Sequence, residues 1–140
     1  MKKIIFTCIS ALILSVTTLL GQHINLSKDS IAVLLCKKWE VNYAMMGGMK
    51  IGKIPGAAEI NYEFNKDKTF LMTSNNPKDK TNGTWSYDDK KKLIKLTING
   101  KSNSSIISLT NDEFVILEDS KNATPDDPME MRLVYKIKAK

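Results

Sequence analysis

The chain has 140 residues, 42% of them hydrophobic and 26% charged, with a formal net charge of +6. Its length is that of one ordinary domain with one core. The only histidine is His23, which excludes a histidine-dependent catalytic triad and a zinc site built from several His or Cys ligands. Arg132 is the only arginine, so the basic charge lacks the arginine cluster typical of nucleic-acid binders. We therefore expect no enzyme, no metal, no cofactor and no nucleic acid.

Residues 1–21 have the pattern of a secretory signal peptide. Two lysines follow the first methionine, an apolar stretch covers residues 4–20, and Gly21 supplies a small residue at the cut. The alternative is a membrane anchor, but this stretch is at the short limit of the ~17–25 residues that a span needs. We expect cleavage after Gly21 and a soluble exported domain, periplasmic or extracellular, over residues 22–140. Loss of two lysines would lower its formal charge from +6 to +4.

A short helix is predicted at about residues 27–37, before a run of strands. Ser27 or Asn25 is suited to cap its first turn, and Cys36 lies on an apolar stretch where it is expected to pack. After Trp39 the apolar period changes from 3.6 to 2, which indicates strands. Eight strands are predicted, at 39–46, 59–64, 69–74, 83–87, 92–98, 104–109, 113–118 and 130–138.

The lengths of the connections predict how these strands are arranged. If each strand pairs with the next, the long connections 47–58 and 119–129 lie at one end and tight turns lie at the other. Asn99-Gly100 is the strongest short hairpin signal, although it belongs to the end with long connections. The pattern predicts an all-β, eight-stranded antiparallel up-and-down barrel, pinched at one end and open at the other.

Three short segments stand out in order along the chain: residues 37–39 after the helix, residues 64–70 at the turn between the second and third predicted strands, and Gly83-Thr84-Trp85 followed by Asp88. Together they resemble the lipocalins, in particular the short lipocalin-like domains of exported bacterial proteins. Lys37 and Lys68 stand where members of the family often have glycine. The resemblance implies an up-and-down barrel that carries small, mostly apolar molecules, and it does not identify the ligand.

The two tryptophans have the inward parity of their strands. We expect Trp39 and Trp85 to be buried, with Trp39 at the pinched end beside the helix. Lipocalins tend to stack a late arginine over the first-strand tryptophan. Here Arg132 lies at the far end of the last strand with outward parity, which favours a surface position.

The predicted site is the barrel interior, which we expect to bind one small hydrophobic ligand in a monomer. The lining predicted by strand parity is Tyr43, Met45, Tyr62, Phe70, Met72, Trp85, Leu109, Met131 and Leu133. Met49 and Ile51, on the glycine-rich segment 47–52, are predicted to form a lid over the mouth, or alternatively to pack outside the barrel. A second interpretation is that the same side chains fill the barrel as a core. The protein would then be an interaction or envelope accessory module whose mouth loops bind a partner.

Overall fold

The computed structural model describes residues 23–52, 59–76, 78–119, 126–127 and 129–140. The predicted signal peptide and its cleavage site lie outside the described residues, as do parts of both long connections. The elements in chain order are α1 (Lys28–Leu35), β1 (Lys38–Met46), β2 (Met49–Ile51), β3 (Asn61–Phe64), β4 (Thr69–Thr73), β5 (Lys80–Asp88), β6 (Leu93–Ile98), β7 (Lys101–Leu109), β8 (Glu113–Glu118) and β9 (Arg132–Ile137).

The predicted helix is confirmed as α1, slightly shorter at both ends. Ser27 is the N-cap, and its hydroxyl accepts a hydrogen bond from the Ser30 amide at 3.2 Å. Ile31 and Leu35 are fully buried against the barrel. The Leu35 carbonyl, which the end of the helix leaves without an intrahelical partner, accepts a hydrogen bond from Trp39 Nε1 at 2.9 Å. This bond ties the helix to the first strand.

All strand pairings are antiparallel, and the sheet closes on itself. Its order is β2-β1-β3-β4-β5-β6-β7-β8-β9, and β1 also pairs with β9. The predicted eight-stranded up-and-down barrel is therefore confirmed, formed by β1 and β3 to β9. On its other edge, β1 pairs with β3 at its beginning and with β2 at its end.

Strand β2 is an addition to the predicted arrangement. Gly47 and Gly48 have φ of 59° and 74° and form a two-residue turn in which Met46 pairs with Met49. Positive φ at both central residues is the geometry of a tight hairpin, and glycine adopts it without strain. The sequence predicts one long connection over residues 47–58, whereas Met49 and Ile51 begin and end β2.

The connections alternate between the two ends of the barrel as predicted. The tight turns β3–β4, β5–β6 and β7–β8 lie at the end covered by α1, which we call the closed end. The N-terminal segment also covers this end, where the Tyr87 hydroxyl donates to the Ile24 carbonyl at 2.7 Å. The other end, which we call the mouth, has the β1–β2 hairpin, the Asn99-Gly100 turn and the β8–β9 connection.

Aromatic rings fill the closed-end half of the interior. Trp39 and Trp85 are 0% and 2% exposed, which confirms that both are buried. Trp39 meets Phe114 edge-on at a centroid distance of 4.9 Å, and Phe114 stacks on Tyr135 at 4.7 Å. We call the rings linked by such contacts the aromatic layer: Trp39, Tyr62, Phe64, Phe70, Phe114 and Tyr135.

A bulge in β1 changes which of its side chains face the interior. The register with β9 shifts between Val41 and Tyr43, so that Tyr43 pairs with Val134 and Met45 pairs with Arg132. Directly paired residues lie on the same face of a sheet. The predicted inward orientation of Tyr43 and Met45 is therefore wrong, because the extra residue reverses the alternation. Both pack on the outside of the barrel against what we call the outer cluster: Ile107, Val115, Leu117 and Val134.

Arg132 lies where the sequence predicted it. It pairs with Met45 and Leu117, whereas Trp39 pairs with Ile137 near the other end of β9. Its guanidinium donates to the Asp127 carbonyl at 3.2 Å. Arg132 therefore belongs to the outer face near the mouth and does not stack on Trp39.

Candidate functional site

The mouth half of the interior combines apolar and polar side chains. Met72 on β4, Ile98 on β6 and Leu133 on β9 are partly buried and pack against the main core. On β8, Ile116 faces the interior, so Glu118, two residues further toward the mouth, has the same inward parity. We call this group, completed by Ser104 and the Tyr62 hydroxyl, the mouth site.

Ser104 places a hydroxyl inside the barrel. It pairs with Leu96 on one side and with Glu118 on the other, so all three share the inward face. Its exposure is only 1%, in a strand whose next inward residue is Ile106. A buried polar group needs a hydrogen-bond partner to offset its loss of water.

That partner is Asn103, whose Nδ2 donates to the Ser104 hydroxyl oxygen at 3.4 Å. Tyr62 on β3 approaches Ser104 from across the interior, near enough for Ser104 to lower the pKa of the phenol. In the closed order of eight strands, β3 and β7 are four strands apart in either direction, so they stand on opposite walls. This facing pair, which we call the Tyr62–Ser104 bridge, lies between the aromatic layer and the mouth.

Glu118 acts electrostatically on the phenols beneath it. Burial raises the pKa of Tyr62 from 10.0 to about 12, the negative charge of Glu118 adds to the rise, and the Ser104 side chain opposes it. The pKa of Tyr135 is also raised, by burial first and then by Tyr62 and Glu118. Because one carboxylate acts on both phenols, the three polar groups form a single cluster.

We expect Tyr62 to make stability fall with rising pH above about 10. Below pH 10 the phenol is neutral in both states, whereas between 10 and about 12 it ionises in the unfolded chain while it stays neutral in the fold. Tyr62→Phe should therefore make the fall in unfolding free energy shallower by up to about 1.4 kcal/mol per pH unit in this window. Urea unfolding at stepped alkaline pH measures both slopes, and equal slopes would contradict the burial of this phenol.

The predicted lining residues divide into three groups. Tyr62, Phe70, Met72, Trp85, Leu109 and Leu133 belong to the main core or pack against it. Tyr43 and Met45 lie outside the barrel. Met49 is 71% exposed on β2, Ile51 is half-buried beside it, and Met131 is 39% exposed just before β9.

Only part of the first group lies at the mouth. Trp85 Nε1 donates to the Asn65 carbonyl in the β3–β4 turn at 3.0 Å, which places this ring at the closed end with Phe70 and Leu109. Of the first group, only Met72, Leu133 and the Tyr62 hydroxyl lie in the mouth half of the interior. The sequence prediction missed Ser104 and Glu118, although the inward parity of Ile106 and Ile116 indicates both.

Outside the barrel, a groove of about 980 Å³ runs along the outer face of β6 to β8. Four lysines line it, together with His23, Asp119 and Asp126 among others. Lys92 pairs with Asp89 at 3.0 Å and Lys95 with Asp88 at 3.1 Å. Carboxylates therefore balance much of the positive charge, and the groove is a surface of mixed charge.

The described ranges contain no group of three or more His, Cys, Asp or Glu side chains that would hold a metal ion. Within the same ranges, no helix has the length and apolar character needed to cross a bilayer. The free thiol of Cys36 packs against the core, and burial raises its pKa.

The closed antiparallel barrel, the helix leading into Trp39 and the apolar mouth define a protein of the lipocalin-like class. The chain belongs to the family described as Lipocalin-like domain (DUF4923), whose model matches residues 25–123. This confirms the resemblance seen in the sequence. A crystal structure of a DUF4847 family protein from Bacteroides vulgatus is similar at 14% identity and a TM-score of 0.46, over 76% of this chain and 96% of that one. No curated protein matches the chain significantly.

Proposed function

We propose that the barrel binds one small, mostly apolar molecule in its mouth half, and that the protein acts as an exported, monomeric binding protein rather than an enzyme. The observation that supports this most is the presence of Ser104 and Glu118 on the inward face beside Met72 and Leu133. A barrel selected for stability alone would place an apolar side chain at position 104, because a buried polar group loses its hydration. Glu118, which pairs with Ser104, is exposed at the mouth.

The aromatic layer limits the size of the ligand. It fills the closed-end half, and the Tyr62–Ser104 bridge forms a floor above it. The bound molecule would therefore lie between this floor and the mouth, where burial of apolar surface contributes about 25 cal/mol per Å² before ordering costs. The β1–β2 hairpin also lies at the mouth. The prediction that Met49 or Ile51 contacts the ligand is part of this proposal.

The test is the binding of decanol, measured by titration calorimetry. We expect Met72→Ser and Leu133→Ser each to weaken binding about tenfold, since each removes apolar surface at the mouth. The matched control is Tyr43→Ser with Met45→Ser, which changes apolar residues of the same barrel that the bulge in β1 places outside. The proposal fails if decanol does not bind, or if the control weakens binding as much as the mouth variants do.

A second candidate is a protein-interaction module with a filled barrel. The observation that favours it is the aromatic layer, in which Tyr62 contacts Tyr135 at 5.3 Å and Phe70 at 5.7 Å and leaves the closed half occupied. This candidate predicts no binding of decanol at all, so the same titration separates the two.

Export is the remaining part of the proposal. It rests on the signal-peptide pattern of residues 1–21. We expect the intact mass of the protein recovered from its own host to equal that of residues 22–140, allowing a shift of one or two residues in the cleavage site. A mass that still includes residues 1–21 would show that the segment is retained.

A further inference from the structure

We infer that the mouth site selects amphiphiles with a cationic head group of the primary-amine class, held by the Glu118 carboxylate and the hydroxyls of Ser104 and Tyr62. This inference rests on the proposed function and specifies its ligand.

Glu118 differs from other glutamates on the strands. Glu63 lies 3.6 Å from Lys38 and Glu40 lies 3.5 Å from Lys136, each pair across neighbouring strands on the outside. Among the residues that the structure describes, no lysine or arginine forms an ion pair with Glu118. Its strand partner is Ser104, a neutral residue. Glu118 is exposed at the end of β8, so the mouth presents a negative charge on its inward face without a counter-ion among the described residues.

The groups around this carboxylate can accept hydrogen bonds from a donor on the head group of a ligand. A carboxylate only accepts hydrogen bonds, and the hydroxyl oxygens of Ser104 and Tyr62 accept as well as donate. An ammonium group carries three donors and a positive charge, so it can bond to the carboxylate while its alkyl chain lies against Met72 and Leu133. The raised pKa of Tyr62, to which Glu118 contributes, agrees with a negative potential at this floor.

The opposing feature is the lysine at the rim. Lys101 begins β7 and pairs with the inward-facing Ile98 at the mouth. A rim lysine would favour an anionic head group. Glu118 opposes this because it has inward parity and pairs with the buried Ser104, which lies three residues further along β7 from the mouth than Lys101. The two possibilities make opposite predictions for ligands that differ only in the charge of the head group.

The experiment compares decylamine, decanol and decanoate, which share one alkyl chain, by titration calorimetry at neutral pH. We expect decylamine to bind about tenfold more tightly than decanol, as for one charge-assisted hydrogen bond, and decanoate to bind most weakly. In Glu118→Gln the preference for decylamine over decanol should disappear.

The control is Glu113→Gln on the same strand. Glu113 pairs with Lys136 on the outward face near the closed end, so this variant should keep the preference for decylamine. Melting temperatures confirm that both variants are folded. If decanol binds and decanoate binds as tightly as decylamine, the inference is wrong and the proposed function stands. If Glu118→Gln keeps the full preference, the inference is also wrong. If none of the three probes binds, both fail.

Discussion

Replacing Trp39 by alanine is expected to lower the free energy of unfolding by about 3–5 kcal/mol. The ring is fully buried, it packs edge-on against Phe114, and its Nε1 donates to the Leu35 carbonyl at the end of α1. The substitution therefore leaves a cavity in the aromatic layer and removes one of the two donors to the Leu35 carbonyl, which keeps the Lys37 amide at 2.7 Å. Urea unfolding measures the change, since domains of this size usually unfold in two states.

Trp39→Phe separates these two contributions. It keeps an aromatic ring against Phe114 and removes the indole donor with part of the buried ring volume, so its cost should be smaller, about 1–2 kcal/mol. A loss below about 1 kcal/mol for Trp39→Ala, the range of ordinary surface changes, would mean that the assigned register of β1 is wrong.

Gly83→Ala is expected to destabilise the barrel by about 1–3 kcal/mol through overpacking. A β-carbon at this position would lie 2.6 Å from Cε1 of Phe70 and 2.6 Å from the Thr97 carbonyl oxygen. Phe70 pairs directly with Gly83, and its ring occupies the space that a side chain there would need. Glycine is thus required by the aromatic layer, because only a hydrogen fits beneath the ring.

Two further variants test this explanation by the same urea unfolding. Gly52→Ala is the control, because a β-carbon there meets nothing within 4 Å, and it should change stability by less than about 0.5 kcal/mol. Phe70→Leu in the Gly83→Ala background should cost less than the sum of the two single changes, since the smaller side chain gives the new methyl group room. Strict additivity would contradict a clash between these two residues.

The sequence predicted the architecture well because regular alternation and connection length are both local signals. The eight barrel strands, the ends at which their connections lie, and the burial of Trp39 and Trp85 all followed from these signals. The β1–β2 hairpin was also signalled, by two consecutive glycines between apolar residues, and was interpreted as a flexible loop instead.

The orientation of Tyr43 and Met45 could not be predicted in this way. A bulge adds one residue to a strand without a characteristic residue type, and every position after it changes face. A bulge in β7 has a similar effect: the register shift between Ile106 and Ser108 leaves Ser108 on the outward face with Ile107 and returns Leu109 to the interior. Assigning the faces of a strand from the alternation of apolar residues therefore predicts only part of the candidate site.

Ser104 and Glu118 were missed for a different reason. A prediction that assigns apolar residues to the interior passes over polar residues at inward positions, and these are the residues that distinguish a binding site from a core. The pairing of Ser104 with Glu118, and its bridge to Tyr62 on the opposite wall, became visible only with the closed sheet.

The measurement that tests the central claim most directly is an amide chemical-shift titration of the labelled domain with decanol. If the barrel binds a small apolar molecule in its mouth half, the largest shifts should fall on residues 72, 104, 118 and 133, with small shifts at the closed end near residues 39 and 114. Shifts confined to the outer cluster, or no saturable shifts at all, would contradict the account.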